Sequence, residues 1–255
     1  MMMIGLESGS APGTKPPLPK RLADLVRELY RDEWAMWRAH YRRYFKVAAR
    51  ALALGFILGF VYFMVRPAHE KRALAFVMRS LKDIPLGAPP MVLALTLFYH
   101  NARAAVLAAA AGVIPFACLP VLDPVANGAT LGLLASISKH QGLNVPLLFL
   151  KSVAPHGIFE LPAVLYATSV GIYLSVSLAK MVKDKLRKKK ESRAVGTQAV
   201  PAAPESSGFL ESYPESAAAD AGGIVGDIVR SFILVVLPLL LVAAFVESFI
   251  TPWLR

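Results

Sequence analysis

Residues Phe45 to Val65 form an apolar run that is about 31 Å long as a helix, enough to cross a hydrocarbon core of about 30 Å. In hydrocarbon every backbone amide must be bonded within the chain, so a lone run of this kind can only be a helix. Further apolar stretches follow it, and they restrict the chain to a bundle of membrane helices. The composition agrees: 56% of residues are hydrophobic and 18% are charged, against about 25% charged in an ordinary soluble domain.

The net charge of +11 raises nucleic acid or anionic lipid as a partner. The basic residues mostly flank apolar runs, as topology determinants and headgroup contacts do, and no nucleic-acid-binding motif accompanies them. We therefore expect membrane lipid as the partner and no nucleic acid. The single cysteine, Cys118, cannot form an internal disulfide and lies in an apolar run, where it reads as inert core.

The sequence divides into four regions: an amphipathic tail (1–44), the main membrane part (45–193), a linker (194–223) and a last span (224–255). The tail opens with a Gly/Pro/Ser-rich stretch. Leu22, Leu25, Val26, Leu29 and Tyr30 then recur at helical spacing. Trp34, Trp37, Tyr41 and Tyr44, mixed with Arg38, Arg42 and Arg43, suit a headgroup layer and equally a solvated helix packed on its own protein. In the first span Gly55 and Gly59 form a Gly-x-x-x-Gly step that lets another helix approach closely. Residues 66–88 read as an interfacial amphipathic helix, ended by Pro89 and Pro90.

The stretch Met91 to Leu122 is long for one span and is interrupted by Phe98-Tyr99-His100-Asn101-Ala102-Arg103. It reads as a short entering segment, a polar kink, and a span over 104–122. Asp123-Pro124-Val125-Ala126-Asn127-Gly128 reads as a turn signal, and Gly128 and Gly132 supply a second close-packing step. The Gly55/Gly59 step is read as a contact within the chain, with a homo-oligomer as the alternative. Leu143 to Leu150 is too short to cross and suggests a re-entrant segment. A span from Pro155 to Met181 follows, with Pro162 depriving the Ile158 carbonyl of its helical bond.

That span ends in Lys180, Lys183, Lys185, Arg187, Lys188, Lys189, Lys190 and Arg193, which places this end in the cytoplasm. Residues 194–223, rich in Ala, Pro, Ser and Glu, read as an unstructured linker. The expected fold is all-α: about five spans with short interfacial or re-entrant helices, in an inner membrane, with the amino terminus cytoplasmic.

His156 and Glu160 stand four apart, on one helical face, near the start of an apolar run. Ionisable groups there are expensive and usually face a partner or a wet cavity. Asn101, Arg103, Asn127 and Glu247 are the candidate companions. Such a cluster serves either as an interhelical network or as a proton or ion site. A metal site drawn from His156 and Glu160 with His100, His140 or Glu247 is weaker, because the His-Glu-x-x-His arrangement is absent. Catalytic residues, metal and cofactor are accordingly not expected.

Three segments together resemble the stage II sporulation protein M family: Phe98 to Asn101 before a small-residue span; Asn127-Gly128, Leu131-Gly132 and Pro155 to Ala163; and the closing Ala243 to Pro252. The resemblance covers roughly residues 45 to 255, without the linker. It implies an integral membrane protein without established catalysis. In spore formers, family members act with partners that include peptidoglycan-degrading enzymes during engulfment. The family also occurs where no spores are made, so sporulation does not follow. The implied role is a scaffold or anchor for cell-envelope partners; the alternative is a transporter or channel built around Glu160.

Overall fold

A computed structural model describes residues 18–85, 87–115, 119–195 and 215–253. Cys118 and residues 196–214 of the linker lie outside them. Among the described residues there is no strand, and five helical segments are long and apolar enough to cross a membrane. The protein is a multi-pass membrane protein.

The first helix, α1 (Leu18–Met36), passes through a π turn (Trp37–Tyr41) into α2 (Arg42–Val65). No break separates the tail from the span. The combined segment has 46 residues, about 69 Å at helical rise, so α1 is not part of the same crossing. An amphipathic helix, α3 (Glu70–Ser80), follows, with Phe76 and Met78 exposed. Its first residue, Glu70, ties it to the bundle by accepting from Ser136 Oγ at 2.7 Å and meeting His140 Nδ1 at 2.9 Å.

Helix α4 (Pro90–Ala110) starts with proline at its first position, where the missing N–H costs nothing. It runs straight through Phe98 to Arg103, so the expected polar kink is not there. The real break follows Ala110, at Gly112 and Pro120. The polar residues are accommodated because Asn101 finds a partner on another helix, leaving the α4 backbone bonds intact. Helix α5 (Leu122–His140) comes next, so the turn expected over 123–128 is helical instead: Pro124 falls in the first turn, where its missing N–H costs nothing, and Gly128 packs against α2.

The stretch at 143–150 is likewise not re-entrant. The Asn144 side chain accepts from Leu147 N at 3.1 Å and caps a helix start. From there α6 (Val145–Leu148), a π turn (Phe149–Val153) and α7 (Ala154–Val195) form one rod. The fourth span therefore begins ten residues before Pro155, and it continues through Pro162. Helix α8 (Glu215–Ser231) reaches back into the expected linker. It leads through a π turn (Phe232–Val236) to α9 (Leu237–Phe245), followed by a π turn at Val246–Ile250.

Close contacts fix how the rods thread. A Cβ at Gly55 would lie 2.2 Å from the Val125 carbonyl oxygen, and one at Gly59 would lie 2.7 Å from that of Ala129. Gly128 faces Leu52, and Gly132 faces Phe56 and Phe60. The numbers rise together, so α2 and α5 are parallel, and the two glycine steps read from the sequence face each other. Helices α4 and α7 are parallel by the same test, since Asn101 meets Glu160 and Gly112 meets Gly171. The pairing of His156 with Glu247, and of the Tyr166 region with Ser231, makes the last span antiparallel to α7. Strict alternation of direction results, as five successive crossings require.

Helix α7 is central: 56% of its apolar window is buried, more than in any other candidate span. The core gathers Tyr41, Ala105, Ala109, Ala163, Tyr166, Ala167, Val170, Val236 and Leu240 around it. Small residues dominate because apolar surface gains nothing by leaving lipid, so association rests on close packing and polar contacts. Leu54, Ile57, Leu58 and Val61 of α2 stay exposed on its outer face, the face lipid covers.

Candidate functional site

The face of α7 that carries His156 and Glu160 meets α4 on one side and the end of the last span on the other. Asn101 Nδ2 donates to Glu160 Oε1 at 3.0 Å. His156 Nδ1 lies 2.7 Å from Glu247 Oε2, while its Nε2 lies 4.0 Å from Glu160 Oε2. One histidine thus stands between two carboxylates from different helices, with an amide on the outer oxygen of one of them. When the imidazole is protonated it forms an ion pair with both. The three side chains are 20%, 31% and 22% exposed, for His156, Glu160 and Glu247 respectively, so the cluster borders the surface of the bundle. Two π turns flank it in sequence, Phe149–Val153 before His156 and Val246–Ile250 around Glu247. Such turns are frequent at functional sites because they redirect side chains and loosen the helical bonding.

Four of the six expected members are therefore brought together. Arg103 is exposed, two positions beyond Asn101 and so on another face of α4. Asn127 donates instead to Asp123 Oδ2 of its own helix at 3.3 Å. Among the described residues no three His, Cys, Asp or Glu side chains are gathered so as to hold a metal, and His140 meets Glu70. The bond between Asn101 and Glu160 should carry a coupling of about 0.6 kcal/mol, the size typical of interhelical polar contacts. A double-mutant cycle with Asn101→Ala and Glu160→Ala, read by the midpoint of detergent-driven unfolding, measures it.

A second polar cluster was not apparent from the sequence. Glu33 of α1 is 3% exposed. Its Oε1 accepts short bonds from the Tyr166 hydroxyl and, at 2.7 Å, from Ser231 Oγ. Its Oε2 accepts from Arg230 Nε at 3.2 Å, and Arg230 Nη2 donates to Asp227 at 2.7 Å. The Tyr41 hydroxyl, 3.3 Å from Ser231 Oγ, completes the group, and Trp37 stacks on Tyr166 with ring centroids 5.4 Å apart. The buried carboxylate is thus compensated by a cation and two hydroxyls, the condition for keeping a charge out of water. One signal in the sequence pointed to it. Glu33 falls on the stripe of Val26, Leu29, Tyr30 and Trp37, where a solvated acid has no place.

The two clusters bracket the last span. Between Ser231 and Glu247, residues 232–246 carry no polar side chain, and the run is about 24 Å long at helical rise. Each cluster therefore sits near one end of the membrane-crossing part of that helix. Both join helices that are distant in sequence.

Residues 48–252 match the family described as Stage II sporulation protein M, in line with the resemblance carried by residues 98–101, 127–163 and 243–252. No curated protein and no solved structure matches the chain.

Proposed function

Because the chain belongs to the Stage II sporulation protein M family, we propose that it is a non-catalytic membrane protein that anchors or organises partners of the cell envelope, among them peptidoglycan-degrading enzymes. It sits in the inner membrane with its amino terminus in the cytoplasm. The observation that carries the reading is the bonding at Glu160: its charge is met by Asn101 of α4 and by His156, which in turn meets Glu247. Polar groups spent on one another across three helices favour a fixed frame over a conducting path. The basic end of α7 supports the orientation.

Glu160→Gln keeps an oxygen for Asn101 and loses only the charge. On this reading the variant retains its envelope partners. In-cell crosslinking followed by identification of the captured proteins, with wild type and variant side by side, tests it; loss of partners from a variant that still folds would argue for a charge-dependent role. A second reading, a proton-coupled carrier or channel, draws on the partial exposure of the His156, Glu160 and Glu247 side chains. It requires vesicles containing the protein to pass protons or another ion, and Glu160→Gln to abolish that flux.

A further inference from the structure

Beside Glu33 the surface is cut by a cavity of about 330 Å³ between α1, α7 and the last span. Tyr30, Trp34, Trp37, Phe45, Val235 and Leu239 line it. The one carboxylate on its wall, Glu33, has both oxygens bonded to protein donors, so the cavity offers hydrocarbon and aromatic surface. It extends from the level of Arg230 and Ser231 to Val235 and Leu239, inside the uncharged run of the last span. An occupant must therefore be apolar below and is free to be charged above.

The rim supplies the charge. Arg27 and Arg31 of α1 and Arg38 of the π turn that follows lie on one flank of this segment, each three or four positions from Tyr30 or Trp34. All three are exposed, and the Arg38 guanidinium lies 5.9 Å from the centroid of the Trp34 ring. The acids of this helix, Asp24, Glu28 and Asp32, form a row one step further from the cavity, with Asp32 3.8 Å from Arg31. A guanidinium row matches phosphate oxygens in geometry as well as charge, and tryptophan beside it suits the boundary between headgroup and chain.

We propose that this cavity is a binding site for an anionic glycerophospholipid: one acyl chain enters between Trp34, Val235 and Leu239, and the phosphate rests on Arg27, Arg31 and Arg38. The lipid belongs to the leaflet on the basic side of the protein. The site is independent of the partner-organising reading above, since it rests on the cavity and its rim alone.

Tryptophan quenching tests it. Trp34, Trp37 and Trp253 are the three tryptophans of the chain, so the full chain with Trp253→Phe reports on the cavity. It is reconstituted in phosphatidylcholine vesicles containing a minor fraction of chain-brominated phosphatidylglycerol or, separately, chain-brominated phosphatidylcholine. The anionic lipid should be preferred about fivefold, the attraction that one basic residue near an anionic surface supplies. The preference should vanish in the triple variant Arg27→Gln/Arg31→Gln/Arg38→Gln, and quenching by both lipids should weaken in Val235→Phe, which fills the cavity. Circular dichroism confirms that each variant keeps its helices; should the triple variant unfold, the single Arg38→Gln change must still lower the preference. Equal quenching by the two lipids means bulk bilayer only and overturns the proposal. So does a preference unchanged in the arginine variants, or a dimer in which neither lipid reaches Trp34.

Discussion

Replacing Gly128 by alanine should destabilise the protein by about 3 kcal/mol, although alanine is normally the better helix former by about 1 kcal/mol. The added Cβ would lie 2.1 Å from the Leu52 carbonyl oxygen and 2.8 Å from the Phe56 amide nitrogen. Both are backbone atoms, so no rotamer change relieves the overlap and the helices must separate. Gly55→Ala acts on the same contact from the other side, meeting the Val125 carbonyl oxygen at 2.2 Å, and should cost a similar amount. The double variant should cost less than the sum, because helices already pushed apart by one methyl have room for the second. Gly226→Ala on α8, where no neighbouring atom lies within 4 Å, should be neutral or stabilising. Unfolding midpoints in mixed micelles across the four variants test the pattern, and a neutral Gly128→Ala would falsify the backbone-to-backbone packing of α2 on α5.

Glu33→Ala should have an effect of the same size, about 3 kcal/mol, because it removes the carboxylate on which two buried hydroxyls and the partly buried Arg230 converge, leaving Arg230 with Asp227 alone. Tyr166 and Ser231 lose their acceptor at the same stroke. Tyr166→Phe removes one donor to the charged oxygen and should cost about 1.5 kcal/mol. The local consequence is as diagnostic as the global one. Glu33 holds α1 against α7 and α8, with Tyr30 adding a bond to the Leu234 carbonyl oxygen at 3.4 Å, so loss of the carboxylate should loosen α1 and speed tryptic cleavage after its Arg21, Arg27 and Arg31. Unchanged digestion of these sites in Glu33→Ala would show that aromatic packing by Trp37 and Tyr41 suffices to dock the helix.

Much of the membrane architecture was legible because it depends on local quantities. Length and hydropathy determine whether a run crosses, and they yielded five spans. The glycine steps were legible because only glycine permits contacts as close as those at Gly55 and Gly128. Boundaries were read less well, since they depend on tertiary bonding. Phe98 to Arg103 looked like a kink because Asn101 and His100 have no local partner, yet Glu160, 59 positions away, takes the Asn101 amide. Leu143 to Leu150 looked too short to cross because the rod continues through residues whose prolines and histidine suggested a fresh start. The role of Glu33 is hidden in the sequence for the same reason: its partners Tyr166, Arg230 and Ser231 lie more than 130 positions away. Polarity alone suggests Arg103 and Asn127 as members of the cluster at Glu160, but Arg103 faces outward from α4 and Asn127 bonds Asp123 on α5.

The parallel pairing of α2 with α5 and of α4 with α7 has a bearing on biogenesis. Neighbouring spans joined by a short loop can pack as a hairpin as soon as both have left the translocon. Parallel partners have an intervening segment of opposite direction, so the Gly55 and Gly59 surface must wait until residue 132 and beyond has been synthesised, with α4 already inserted. During that interval a nascent chain carries a stripe of bare backbone facing lipid, open to capture by an insertase or by a membrane protease. The last span arrives later still, after the long basic extension of α7, and its arrival supplies Glu247 and, with Ser231 and Arg230, two of the partners of Glu33. Completion of the final helix is therefore the step that closes both polar clusters at once, and chains cut short before Arg230 should be recognised by quality control as unfinished.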